Sequence, residues 1–79
     1  MLTLNDAKQG RYYKVAALSQ YAEPRIVRRL LDLGFTPNEK VCVMRKSLTK
    51  QTLLVQIRGF CLSLRSNIAE AVLIEVQGD

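Results

Sequence analysis

The stretch "LLVQIRGFCLSLR", residues 53–65, alternates apolar and polar side chains on both sides of a glycine. A period of two is the pattern of a strand with one buried face. Two such runs joined by a two-residue turn containing Gly59, either Arg58-Gly59 or Gly59-Phe60, predict a β-hairpin. Both turns place Leu53, Val55 and Ile57 on the face of Leu62 and Leu64, because a two-residue loop keeps the alternation in phase. Leu54, Gln56, Arg58, Cys61, Ser63 and Arg65 take the opposite, more polar face. The apolar face needs cover from the rest of the chain.

The remaining segments supply it. Thr3 or Asn5 is an N-cap candidate for at most two helical turns ending near Gly10. "RYYKVAAL" reads as a strand weakened by Ala16 and Ala17. From Pro24 the period changes. Ile26, Leu30 and Leu33 recur at helical spacing and Gly34 stops the helix, while Arg25, Arg28, Arg29 and Asp32 fall on the other side, where Arg28 and Asp32 are spaced to pair. In "FTPNEK" Pro37 and Asn38 suit the central positions of a type II turn, with Asn38 left-handed. A strand follows with Val41 and Val43 set against Cys42 and Met44, and then a polar, exposed loop, "RKSLTKQT". Asn67 with Glu70 has the spacing of a capping box, and Val72, Ile74 and Val76 alternate inward along a last strand. About five short strands, with a helix between the first and second, form the pattern of a small, mostly antiparallel β-barrel, since closure would remove apolar edges.

The chain has 79 residues, which fits a single domain spanning 1–79 that buries about 60% of the surface of its unfolded form. No apolar run approaches the roughly 20 residues of a membrane span, and "MLTLNDAKQG" has neither the basic start nor the apolar stretch of a secretory signal. The expected location is the cytoplasm, with no insertion into a membrane and attachment at its inner face only through a partner. Histidine is absent and Cys42 and Cys61 do not form a CxxC pair, so they are expected to be free thiols without a metal or other cofactor. The net charge of +5 is uneven: no acid lies between Glu39 and Glu70, an interval holding Lys40, Arg45, Lys46, Lys50, Arg58 and Arg65. Positive potential of this kind draws anionic partners.

Taken together, these segments resemble the FeoA family, ferrous iron transport protein A. The resemblance rests on Leu4 and Gly10, on "RLLDLGFTP" from Arg29 to Pro37, on "GFCLSLR" from Gly59 to Arg65, and on Ala69 or Ala71 with "LIEV". It covers nearly the whole chain. Asn38 stands where the family has glycine, and "SLTKQT" replaces a loop that commonly reads like "APLGDP", giving a more basic and floppier segment. The resemblance implies a mostly β, SH3-like barrel with one or two short helices. It also implies a non-enzymatic module that binds and modulates FeoB, the membrane permease with a cytoplasmic GTP-binding domain.

The residues agree with an interaction role. No P-loop and no nucleophile with a neighbouring base is present, although Arg28 or Arg29 could in principle reach a partner's GTP. Arg25, Arg28 and Arg29 are candidate docking residues, with Phe60 at the hairpin turn and Lys50 in the polar loop. The alternative is a nucleic-acid-binding small β-barrel. It lacks interleaved aromatics to stack bases, so no stable nucleic-acid complex is expected. The same scattered aromatics and the lack of Trp disfavour a proline-rich ligand. Cys61 reads as an indifferent small side chain rather than a regulatory thiol. With no imidazole and two thiols, the isolated chain should hold no stoichiometric Fe²⁺ more tightly than the micromolar range. Anaerobic equilibrium dialysis checks this, and one tightly held iron per chain would overturn it.

Overall fold

The computed structural model describes residues 2–77. The elements run β1 (Leu2–Thr3), a 3₁₀ turn (Leu4–Asp6), β2 (Tyr12–Leu18), α1 (Pro24–Leu33), β3 (Lys40–Lys46), β4 (Thr52–Ile57), β5 (Phe60–Arg65), α2 (Ser66–Ala69) and β6 (Val72–Val76). All strands join one antiparallel sheet in the order β1-β6-β2-β3-β4-β5. The hairpin turn is Arg58-Gly59, with φ of 51° and 83°, and Ile57 faces Phe60 across it. Two positive φ values mark the turn whose twist matches that of the flanking strands. Leu53, Val55, Ile57 and Leu64 are buried and Leu62 packs against them.

Two irregularities decide which side chains enter the core. In β2 the register slips between Val15 and Ala17, leaving Ala16 as an extra residue, so that both Val15 and Leu18 face the core. In β3 it slips between Val43 and Arg45 at Met44, which turns Arg45 outward opposite Leu54 and Lys46 inward opposite Leu53. Such bulges bend a strand and increase its twist. The sheet curls, yet the expected barrel is not closed by strand pairing. β1 and β5 remain its two ends. The 3₁₀ turn meets α2 there, and Asn5 Nδ2 donates to the Ser66 carbonyl at 2.8 Å. A two-residue β1 is too short to build a ladder across to β5, so a side-chain bond and packing do that work.

Several local expectations are corrected. Thr3 caps only one 3₁₀ turn, through a reciprocal box with Asp6. The Asn67–Glu70 box does not form, because α2 begins at Ser66 and places Asn67 inside the helix. Val76 is half exposed at the end of β6, whereas Val72 and Ile74 are buried. The "SLTKQT" loop is tightly bonded rather than floppy. Its Ser47 carbonyl accepts from Lys50 N–H and its Ser47 hydroxyl from the N–H groups of Gln51 and Thr52.

The core is apolar throughout: Phe35, its largest fully buried side chain, lies among Leu4, Leu30, Val15, Val41, Val43, Val55, Ile57, Val72 and Ile74. Removing most of the Ile57 side chain should therefore cost about 2–4 kcal/mol. Gln56→Ala, on the outer face, should cost less than about 1 kcal/mol. Denaturant midpoints of the two variants check this, and equal losses would contradict the face assignment.

Candidate interaction surface

The surface is built around α1. Pro24 opens the helix, and Gly34 closes it at a φ of 111°, which is open to glycine and strained for other residues. Gly34 N–H donates to the Leu31 carbonyl and Phe35 N–H to the Leu30 carbonyl, each at 3.0 Å, while Phe35 and Leu30 are both buried. This pair of bonds with its apolar contact is a Schellman motif. It fixes the rotation of the helix. Leu30 points into the core, Ile26 and Leu33 pack at its margin, and Arg25, Arg28, Arg29 and Asp32 face solvent.

Among the described residues the ion pairs are Lys14–Glu75 at 3.7 Å and Arg58–Glu39 at 4.0 Å. The expected Arg28–Asp32 pair is not made. Arg25, Arg28 and Arg29 line a shallow concavity along the helix with Glu23, Ile26, Asp32 and Leu33. Arg29 also borders a cleft of about 250 Å³ between α1 and β5, floored by Leu30, Leu33, Leu64 and Ile68 and flanked by Arg65. Arg65 was not singled out by sequence. Alternation places it on the outer face of β5, but only the packing of α1 along that edge brings it beside Arg29.

The other candidates are divided between the two ends of the hairpin. Lys50 lies two residues before Thr52, which pairs with Arg65, so it belongs to the Arg65 end. Phe60, nearly half exposed, begins β5 about 17 Å from Arg65 at the usual strand rise. Phe60 and Lys50 therefore do not share one small site. At the Phe60 end, a Cβ on Gly34 would sit 2.5 Å from Arg58 Cδ, so the Arg58 stem lies across the end of α1.

The two cysteines are free and lie on one cross-strand row, Tyr12–Cys42–Gln56–Cys61. Two strand spacings put their Cα atoms about 10 Å apart, beyond the reach of a disulfide. Cys42 is buried although it faces away from the main core; Tyr12, its register partner, donates its hydroxyl to Gln56 Oε1 on the strand beyond at 3.4 Å. Burial pushes the Cys42 thiol up, a Gly10 N–H opposes this, and Cys61 adds to the rise. The neutral thiol is thus the form that suits the fold. Its contribution is complete below the ordinary value of 9.0 and declines as pH rises through the raised folded value. No group of three or more potential metal-ligating side chains is found among the described residues.

Fold and surface together define a small β-sheet module that presents a basic helix and its bordering cleft rather than an enclosed pocket. The FeoA domain model matches residues 2–76, and the chain belongs to the FeoA family. It is 35% identical over 71 residues to a Campylobacter jejuni protein provisionally named Fe(2+) transport protein A, covering 90% of this chain and 93% of that one. The solution structure of FeoA from Chlorobium tepidum superposes with a TM-score of 0.86 at 30% identity, covering 98% of this chain and 71% of the other. A crystal structure of Stenotrophomonas maltophilia FeoA, complexed with zinc and described as an SH3 domain protein, gives 0.83 at 28% identity over 95% and 91%.

A thiol reagent at mildly alkaline pH should modify Cys61 rapidly and Cys42 only after unfolding. A chromogenic thiol titration in native and denaturing buffer checks this, and two equally fast thiols would contradict the burial of Cys42.

Proposed function

We infer that this chain is a non-enzymatic, cytoplasmic interaction module of a ferrous iron uptake system, formed as one domain, that binds and modulates the FeoB permease. Family membership supports the iron-uptake setting, as do the names of its relatives. The observation that carries the docking role is the set of arginines on α1 without a carboxylate partner among the described residues. Arg25, Arg28 and Arg29 project from a helix whose far side is anchored by Leu30, and Arg65 extends the basic surface across the cleft. An acidic face on the permease's cytoplasmic domain is the complementary surface. Lys50 lies on the same end, and Phe60 supplies an apolar contact only to a partner large enough to span β5. No described helix is long and apolar enough to cross a membrane.

A nucleic-acid role is less well supported by the same surface. Tyr13 and Phe35 are buried, Tyr12 has Lys40 over its ring, and the exposed Tyr21 and Phe60 sit on separate elements, the turn before α1 and the start of β5, which does not favour a row on which bases would stack.

Reversing Arg25, Arg28 and Arg29 to Glu should leave the fold intact, because all three side chains face solvent while Leu30 holds the helix from its core face. Association with the FeoB cytoplasmic domain should slow about tenfold or more at low salt, and the difference should shrink as salt is added. Surface-plasmon kinetics over a salt series check this. Unchanged low-salt kinetics in a folded variant would return the arginines to a merely solvated face.

A further inference from the structure

The connection between β3 and β4 carries Leu48, which is fully exposed at the apex of a turn. The turn runs Ser47–Lys50, closed by Lys50 N–H donating to the Ser47 carbonyl at 2.9 Å. Ser47 N–H donates to the Thr52 carbonyl at 3.0 Å, its hydroxyl accepts from Gln51 N–H at 3.1 Å and Thr52 N–H at 3.2 Å, and Lys50 sits at a φ of 60°. A loop with this many internal bonds cannot fold Leu48 back onto the core without breaking them, so the apolar side chain is held in water.

The charges around it have one sign. Arg45 points outward just before the loop, Lys50 lies within it, and Arg65 is paired in register with Thr52 just after it. All three are exposed and have no ion-pair partner among the described residues. Lys46 is partly spent, its Nζ donating to the Asn5 carbonyl at 3.1 Å. Asp6 accepts from Thr3 N–H at 2.9 Å, and Glu70 follows α2. Neither is paired with the three free cations.

A single leucine on a four-residue turn offers far too little area for a protein interface, which needs at least roughly 500 Å² from each partner. A fluid anionic surface asks for much less: one apolar side chain to enter the headgroup region and several cations to meet a smeared charge. We propose that the β3–β4 loop is a lipid-contact site, with Leu48 entering the headgroup layer of an anionic bilayer while Arg45, Lys50 and Arg65 meet the lipid phosphates. Lys50 and Arg65 border the surface assigned above to the permease, so the two contacts adjoin; Leu48 and Arg45 belong to the lipid contact alone. Like a single acyl chain, one leucine gives reversible attachment, so binding depends on both anionic lipid and low ionic strength.

The test is sedimentation of the full chain with phosphatidylglycerol-containing vesicles and with pure phosphatidylcholine vesicles. The expected result is binding to the first only, with Lys50→Glu lowering the partition about tenfold or more and Leu48→Ser lowering it about fivefold or more. Both positions are exposed, and circular dichroism verifies that the variants fold. The chain contains no tryptophan, so Leu48→Trp supplies one reporter whose emission should shift to the blue with anionic vesicles alone. The α1 triple variant should associate more slowly with the permease while its vesicle partition still falls on Lys50→Glu, which separates the α1 contact from the loop contact. Absence of sedimentation, variants that partition like the parent chain, or a Trp emission unmoved while the protein sediments would each overturn the proposal. Loss of permease binding in Leu48→Ser, without any vesicle binding, would overturn it in favour of a protein partner at the same loop.

Discussion

The junction at Gly34 and Phe35 governs how the helix, the hairpin and the third strand meet. Gly34 takes the left-handed conformation that lets its own N–H and that of Phe35 cap the helix, and this reversal carries Phe35 into the core. The missing side chain at Gly34 also leaves room for the Arg58 stem, whose guanidinium then reaches Glu39. Two residues further on, the Thr36–Glu39 turn closes with Asn38 at a φ of 75°, and Asn38 N–H reaches the Val15 carbonyl at 2.7 Å. One glycine thereby ties the end of α1 to the β4–β5 turn and hands the chain to β3. A methyl group there would carry backbone strain at the helix end and push the exposed Arg58 stem aside, disturbing the α1 cap and the Arg58–Glu39 contact together.

Curvature is a second constraint, and it answers a problem that short strands create. A flat sheet with one apolar face would need a second layer to cover it, but this chain has one helix of ten residues and one of four. The bulges at Ala16 and Met44 bend β2 and β3, the middle strands of the sheet, so that the apolar face curls around its own core. The edges then approach without pairing, joined through Asn5 and Ser66. α1 lies along the β5 edge, covering Leu64 and leaving the cleft that Arg29 and Arg65 flank.

The parts of this architecture legible in sequence are those determined locally. Helical spacing with a glycine stop, the Pro37-Asn38 turn and the Gly59 hairpin each carry their own backbone chemistry, and each appears where the pattern put it. The bulges were hidden because their extra residues are defined only against a partner strand: Ala16 merely weakened the strand pattern and Met44 fitted it. Cys42 has outer-face parity and is buried through tertiary packing beside Tyr12, a contact no local period reveals. The same limit applies to the candidate surface. Exposure of Arg25, Arg28 and Arg29 follows from the helical period, whereas the lack of an Arg28–Asp32 pair and the nearness of Arg65 depend on side-chain placement and on how α1 meets β5. The Ser47 hydroxyl bonds that stiffen the basic loop were equally invisible in a composition that reads as flexible.

Charge placement on α1 runs against the helix's own preference. The helix has no side-chain cap bond at Glu23 and no acid in its first turn, yet it carries arginines at its second, fifth and sixth positions. A cation in the first turn is unfavourable by about a few tenths of a kcal/mol, less in salt, which applies to Arg25, while Arg28 and Arg29 lie mid-helix where the effect has faded. The C-terminal Schellman motif and the burial of Leu30 and Phe35 together outweigh such a term, since each buried side chain of that size contributes on the order of 1.5–3 kcal/mol. The helix is therefore held from its core face and its C-terminal end, leaving the N-terminal solvent face free of any stabilising duty. That separation is what allows the surface to hold unpaired positive charge. Both ion pairs present lie elsewhere, on β2–β6 and at the Arg58 turn. Glu23 and Asp32 share the α1 concavity with the three arginines without pairing with them, so the positive field of α1 is only partly offset, and the Lys50–Arg65 end likewise has no ion pair among the described residues.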